Sequence, residues 1–176
     1  MIDDNSKPNT GPLRAPIAFA RRLAGSDNFK LLFREGMALV EETASYLDGD
    51  GRKESRKLTR AGSLTYATES MRLTTRLMQL ASWLLLQRAV NDGEMSFEQA
   101  AAEKAKVRLG GLSSATEGAG WDELPQRLRD LIARSTRLQE RIKRLDGAMD
   151  RVAADTPADN PVGQQIGRIA KAFGRS

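Results

Sequence analysis

Catalysis by side chains needs groups that exchange protons, attack electrophiles or hold metals, and this chain is poor in them. Its 176 residues include no His and no Cys. Disulfides, Cys-ligated zinc and thiol nucleophiles are thereby excluded, and the commonest general base and metal ligand are missing. Asp, Glu, Lys, Ser and Tyr remain, but no two carboxylates share an apolar face at a catalytic spacing. The stretch from Leu47 to Glu54, LDGDGRKE, has a faint calcium-loop look. An EF-hand needs acidic or amide groups at three alternate positions and a Glu twelve residues after the first; only Asp48 and Asp50 comply. Gly110 to Gly120 is rich in Gly and Ser, yet it lacks the lysine-bearing phosphate-loop pattern and a preceding strand, so it reads as a mobile loop. The expectation is no enzyme, no cofactor and no metal.

The residues that do form a pattern suggest recognition of other proteins. Near the end, Ile166, Ile169, Ala170 and Phe173 fall at i, i+3, i+4 and i+7, with Arg168, Lys171 and Arg175 among them. This piece is too short to be helical alone, so it would fold on a partner. A second candidate is the group Trp83, Leu86 and Val90. It breaks the polar side of an apolar helix and so offers a dimer or cargo surface. The competing explanation is that a helix at 97–109 and Trp121 fold back over it within one chain.

These groups must be positioned by helices. Glu69 to Val90 contains no Gly or Pro, and nothing in it interrupts a helix. On a helical wheel Met71, Leu73, Leu77, Met78, Leu80, Ala81, Leu84 and Leu85 form the wide apolar side, opposite Glu69, Arg72, Arg76, Gln79 and Gln87. This is the expected central helix, running from about Lys53 to Asn91, about 57 Å at 1.5 Å per residue. Before it, Ser26 and Asp27 cap a helix at Asn28–Asp48, with Phe29, Leu32, Phe33, Gly36, Val40, Thr43 and Leu47 on one face and Leu31 left outside. Gly49 is expected at a left-handed cap, with Asp50 or Ser55 capping the next helix. After it, Ser96 and Gln99 form a capping box opening a short helix to Leu109. Asp122 then caps a third long helix to Val152, whose seam (Leu124, Leu128, Leu131, Ser135, Leu138, Ile142, Leu145, Met149, Val152) repeats in alternating fours and threes. Its arginines, interspersed with acids, read as a solvated face with i,i+4 ion pairs.

The fold class expected is all-α: an antiparallel three-helix bundle with a short extra helix and flexible N- and C-terminal tails. The expected division is 1–25, an arm with a short helix from Pro16; 26–153, the bundle; and 154–176, the tail. No signal peptide is visible, and no apolar run approaches the ~20 residues needed to cross a bilayer. The expected location is cytoplasmic, with no membrane partner. A net charge of +5 keeps one alternative open, a basic helical nucleic-acid-binding regulator. Nucleic acid is disfavoured because acids interrupt the arginines and no helix-turn-helix spacing is evident.

At MALVEETASYLDGDGRKESRKL (Met37 to Leu58) and ESMRLTTRLMQLASWLLLQRAVNDGEM (Glu69 to Met95) the chain resembles the alphaproteobacterial RcdA family. The likeness spans roughly residues 28 to 153 and returns at the IGRIAKAF tail. It implies a non-enzymatic homodimeric adaptor that tethers cargo, such as the cell-cycle regulator CtrA, to a ClpX/ClpP protease primed by the response regulator CpdR. It also implies a partner linked to cyclic di-GMP signalling and recruitment to a cell pole. The tether role would fall on Ile166, Arg168, Ile169, Lys171 and Phe173.

Overall fold

The structure, a computed structural model, describes residues 27–107, 109–110 and 120–154. The arm at 1–25, the loop at 111–119 and the tail beyond 154, with Ile166, Arg168, Ile169, Lys171 and Phe173, lie outside the described residues. Five helices and no strand occur among the described residues: α1 (Asp27–Asp48), α2 (Asp50–Ser55), α3 (Arg60–Asn91), α4 (Phe97–Lys106) and α5 (Gln126–Ala154). The all-α bundle expected from sequence is present.

Helix α1 forms as its periodicity demands, burying Phe29, Leu32, Gly36, Leu39, Thr43 and Tyr46 and leaving Leu31 exposed. A Cβ at Gly36 would lie 2.5 Å from a Leu84 methyl, so a larger residue here would have to displace the buried Leu84 side chain. The next helix does not run unbroken from Lys53. After α2 the chain leaves the helix, and Thr59 takes an extended conformation whose hydroxyl accepts from the Gly62 N–H (3.1 Å). Thr at this position gains more as an N-cap than inside a helix. Gly49 does not take the left-handed conformation (φ −101°), and α2 starts at Asp50 with no side-chain cap. At this corner the Tyr46 hydroxyl donates to the Glu54 carboxylate (2.7 Å). Burial first, and then that bond, push the phenol pKa above its ordinary value.

Helix α3 ends at Asn91 with Gly93 at positive φ (77°), and the Ser96–Gln99 capping box is complete in both directions. Helix α5 starts at Gln126, later than expected, because Trp121–Glu123 form a turn. Its seam packs as the repeat requires: Leu124, Leu128, Leu131, Ser135, Leu138, Ile142 and Met149 are buried, joined by Ile132 and Gln139.

Direction is where the bundle departs from expectation. Helix α1 is antiparallel to α3, since Phe29 near its start meets Trp83 in the last third of α3 (6.5 Å), while Gly51, just beyond its end, abuts the Tyr66 hydroxyl near the start of α3. It is antiparallel to α5 too, through Arg141–Glu35 (2.6 Å) and Arg134–Glu42 (2.7 Å). Helices α3 and α5, however, run parallel: Thr59 meets Glu123, Arg76 meets Ser135 and Trp83 meets Asp146. An antiparallel α3–α5 pair would need only a short turn. Instead α4 lies beside Trp83, and by Gly120 the chain is back beside Ala61 and Thr65 at the start of α3, where α5 begins.

Candidate protein-interaction surfaces

Helix α3 is turned in a way hydropathy alone misses. Its buried face carries Glu69, Leu73, Arg76, Leu77, Leu80, Trp83, Leu84 and Gln87. The polar members of this face are matched rather than hidden. Glu69 pairs with Arg72 (2.6 Å), Arg76 donates to the Ser135 hydroxyl (2.9 Å), and Gln87 accepts from Lys104 (2.6 Å). Ser135 in turn donates to the Ile132 carbonyl (2.7 Å), so the one polar residue of the α5 seam ties its own helix to α3. Burial lowers the Arg76 pKa; nearby Glu69 opposes this and Arg72 adds to it. Charged residues fixed at one level of a parallel helix pair pin its register.

The opposite face is the candidate interface. Leu64, Met71, Met78 and Leu85 recur every seven residues and are 71%, 71%, 66% and 53% exposed. They stand on the solvent side, which corrects the placement of Met71, Met78 and Leu85 in the core. The other exposed residues from Ala61 to Leu85 are Ala61, Ala67, Thr68, Thr74, Thr75 and Ser82. None is charged. The hydroxyls, moreover, are already spent on their own helix: Thr68 donates to the Leu64 carbonyl, Thr74 to Ser70, Thr75 to Met71 and Ser82 to Met78 (2.8–3.0 Å). Covering this face would therefore strand no polar group, and burial would be opposed by little desolvation. From Leu64 to Leu85 the strip is about 32 Å long, and a seven-residue apolar repeat is the pattern that packs against another helix. The signal was present in the sequence as that spacing, but the apolar residues of the inner face obscured it.

Trp83 is withdrawn from the candidate surface. It is fully buried, with its indole N–H donating to Asp146 (2.7 Å) and the Lys104 ammonium 4.5 Å over its ring. The cover is α4, folded back within the chain. Trp121 belongs to the other end of α3, where neighbouring Gly120 abuts Ala61 and Thr65. Leu86 and Val90 are half-buried. Leu86 lines a shallow groove beside Leu85 and Val107, and Val90 lines a cleft between α3, α4 and α5. In that cleft Lys104 is 3.7 Å from Asp146; burial lowers its pKa while Asp146 and Asp150 work against the shift.

The arginines of α5 also differ from expectation. Beside the intrahelical Arg144–Glu140 contact (4.0 Å), Arg127, Arg134 and Arg141 reach across to Asp50, Glu42 and Glu35 near or on α1. Such exposed bridges contribute only about 0–1 kcal/mol each, but they neutralise much of the basic stripe. Among the described residues no group of three or more Asp and Glu could hold a metal ion, and no helix is long and apolar enough to cross a membrane.

Together these features define an all-α bundle protein with a long uncharged seam facing outward. A family profile described as "Protein of unknown function (DUF1465)" matches residues 20–173. The crystal structure of RcdA from Caulobacter crescentus CB15 is similar, with 53% sequence identity and a TM-score of 0.61, over 73% of this chain and 96% of that one. No curated protein matches. The chain belongs to the RcdA family.

Proposed function

We propose that the protein is a non-enzymatic proteolytic adaptor that acts as a homodimer in the cytoplasm. It tethers cargo such as CtrA to ClpX/ClpP primed by CpdR. The observation that carries this reading is the uncharged α3 strip, a surface already prepared for burial against another protein, in a chain that belongs to the RcdA family. Two copies meeting along Leu64–Leu85 would each place a seven-residue repeat against its equal, as a two-fold interface requires. Each bundle would then leave its C-terminal stretch, with Ile166, Arg168, Ile169, Lys171 and Phe173, free to engage the primed protease. Tethering raises the local concentration of cargo at the unfoldase, and no bond is made or broken. Control through a cyclic di-GMP-binding partner and recruitment to a cell pole belong to the same reading.

The alternative, nucleic-acid binding through α5, asks arginines to leave Glu35, Glu42 and Asp50 for phosphates, so the arrangement of charge favours the adaptor. A pull-down from the lysate of an alphaproteobacterium, using the full chain and a chain ending at Ala154, tests the reading. ClpX and CpdR should be retained by the full chain and lost from the shortened one. Nucleic acid in place of protease subunits would reverse the choice.

A further inference from the structure

The cleft between α3, α4 and α5 has a volume of about 170 Å³. Its lining combines the apolar Val90, Phe97, Ala100, Ala101 and Met149 with the polar Gln87, Lys104, Asp146 and Asp150. An apolar cavity of roughly 150 Å³ is enough to hold a benzene ring, so this one matches a phenyl side chain. Its charge is also one-sided. Lys104 is the one cation on the lining, and it is already engaged by Gln87 and Asp146. Asp150 is exposed and has no ion-pair partner among the described residues.

We propose that the C-terminal stretch Ile166–Phe173 of the same chain occupies this cleft, with the Phe173 ring in the cavity and Arg168 and Lys171 facing Asp150. Ala154 lies one helical turn beyond Asp150, so the chain leaves α5 at the cleft. The residues from 155 to 165 can span up to about 36 Å, ample for a return. They include Pro157, Pro161 and Gly163, residues suited to reversing direction. The returning stretch offers an apolar stripe edged by basic groups; the cleft offers an apolar wall edged by acid. A tail held this way is withdrawn from other partners and must be released before it can serve them. The inference goes beyond the adaptor reading and does not depend on it.

The absence of Cys makes a direct test available on the full chain. Ala101→Cys is combined with Gly174→Cys, and, as a control that the extended tail can also reach, Ala133→Cys with Gly174→Cys. Ala101 and Ala133 are both exposed, and Ala133 is about 24 Å along α5 from Met149. Under mild oxidation the Ala101 pair should close within one chain at least tenfold faster than the control. Adding Phe173→Ser or Asp150→Lys should remove most of that advantage. Equal rates for the two pairs would overturn the proposal, and covalent dimers from the Ala101 pair would assign the cleft to the tail of a second copy instead. Independently, the methyl resonances of Met149 and Ala100 should shift when Phe173→Ser is introduced alone; unmoved signals would also overturn it.

Discussion

If the α3 strip joins two copies as proposed, a variant carrying Met71→Glu and Met78→Glu is expected to be a folded monomer under conditions in which the parent chain dimerises. Both side chains lie on the outward face of α3, about two-thirds exposed or more. Within one bundle the change is nearly neutral: Glu is a good helix former, and surface substitutions usually stay within about ±0.5 kcal/mol. Across a two-fold contact the situation reverses. Each copy would bring two carboxylates to a seam whose exposed residues from Ala61 to Leu85 include no cation to receive them. Burying an unpaired carboxylate costs several kcal/mol, so the dissociation constant should rise by at least about a thousandfold, or about 4 kcal/mol. Light scattering at micromolar protein, beside circular dichroism, reads both halves of the prediction. A dimer mass that survives both substitutions would move the interface off this strip.

The second large effect is on the bundle itself. Trp83→Ala should cost roughly 3–5 kcal/mol, the range for a truncated buried aromatic. Trp83 touches every neighbour of the C-terminal half of α3: Phe29 on α1, Asp146 on α5 and Lys104 on α4. Removing the indole opens a cavity, takes one of its two partners from the Asp146 carboxylate and removes the ring beneath an ammonium that burial already disfavours. At roughly 2–4 °C per kcal/mol for a chain of this size, the melting temperature should fall by about 6–20 °C. Trp83→Phe keeps most of the packing and loses the bond to Asp146, so its cost should be nearer 1–3 kcal/mol. Thermal melts of the two variants check the order. Equal, small losses would mean that α4 does not close over Trp83 as described.

How far the sequence could be read depended on how one-sided each helix was. Helix α5 has a single apolar seam, and nearly every residue assigned to it is buried where it can be seen. The capping box at Ser96 was legible because two side chains at fixed spacing satisfy two backbone N–H groups, whatever the surroundings. Helix α3 misled because it has apolar residues on both sides. Hydropathy put Met71, Met78 and Leu85 inside and Arg76, Glu69 and Gln87 outside, and the structure has the reverse. Those polar side chains are met inside by Arg72, Ser135 and Lys104, and two of these partners, Ser135 and Lys104, lie on other helices and leave no trace in the periodicity of α3. The parallel course of α3 and α5 was illegible for a related reason. It is set by the route of the connection through α4, a segment whose direction no periodicity records.

The candidate surfaces divided along the same line. The outward seam of α3 could have been found from the spacing of Leu64, Met71, Met78 and Leu85 alone, had the inner face been less apolar. Trp83 was drawn to the surface by an argument about one helix, whereas its cover comes from α4. For the C-terminal stretch the basis remains the sequence pattern of Ile166, Ile169 and Phe173 with Arg168 and Lys171.

The proposed delivery by tethering requires the C-terminal stretch and predicts that the bundle alone does not suffice. The direct measurement is the rate of cargo degradation by ClpX/ClpP with CpdR, using CtrA as cargo, in the presence of the full chain or of a chain ending at Ala154. The shortened chain is predicted to stay a folded dimer and to give no acceleration above the adaptor-free rate. Full acceleration by the shortened dimer would contradict the tether.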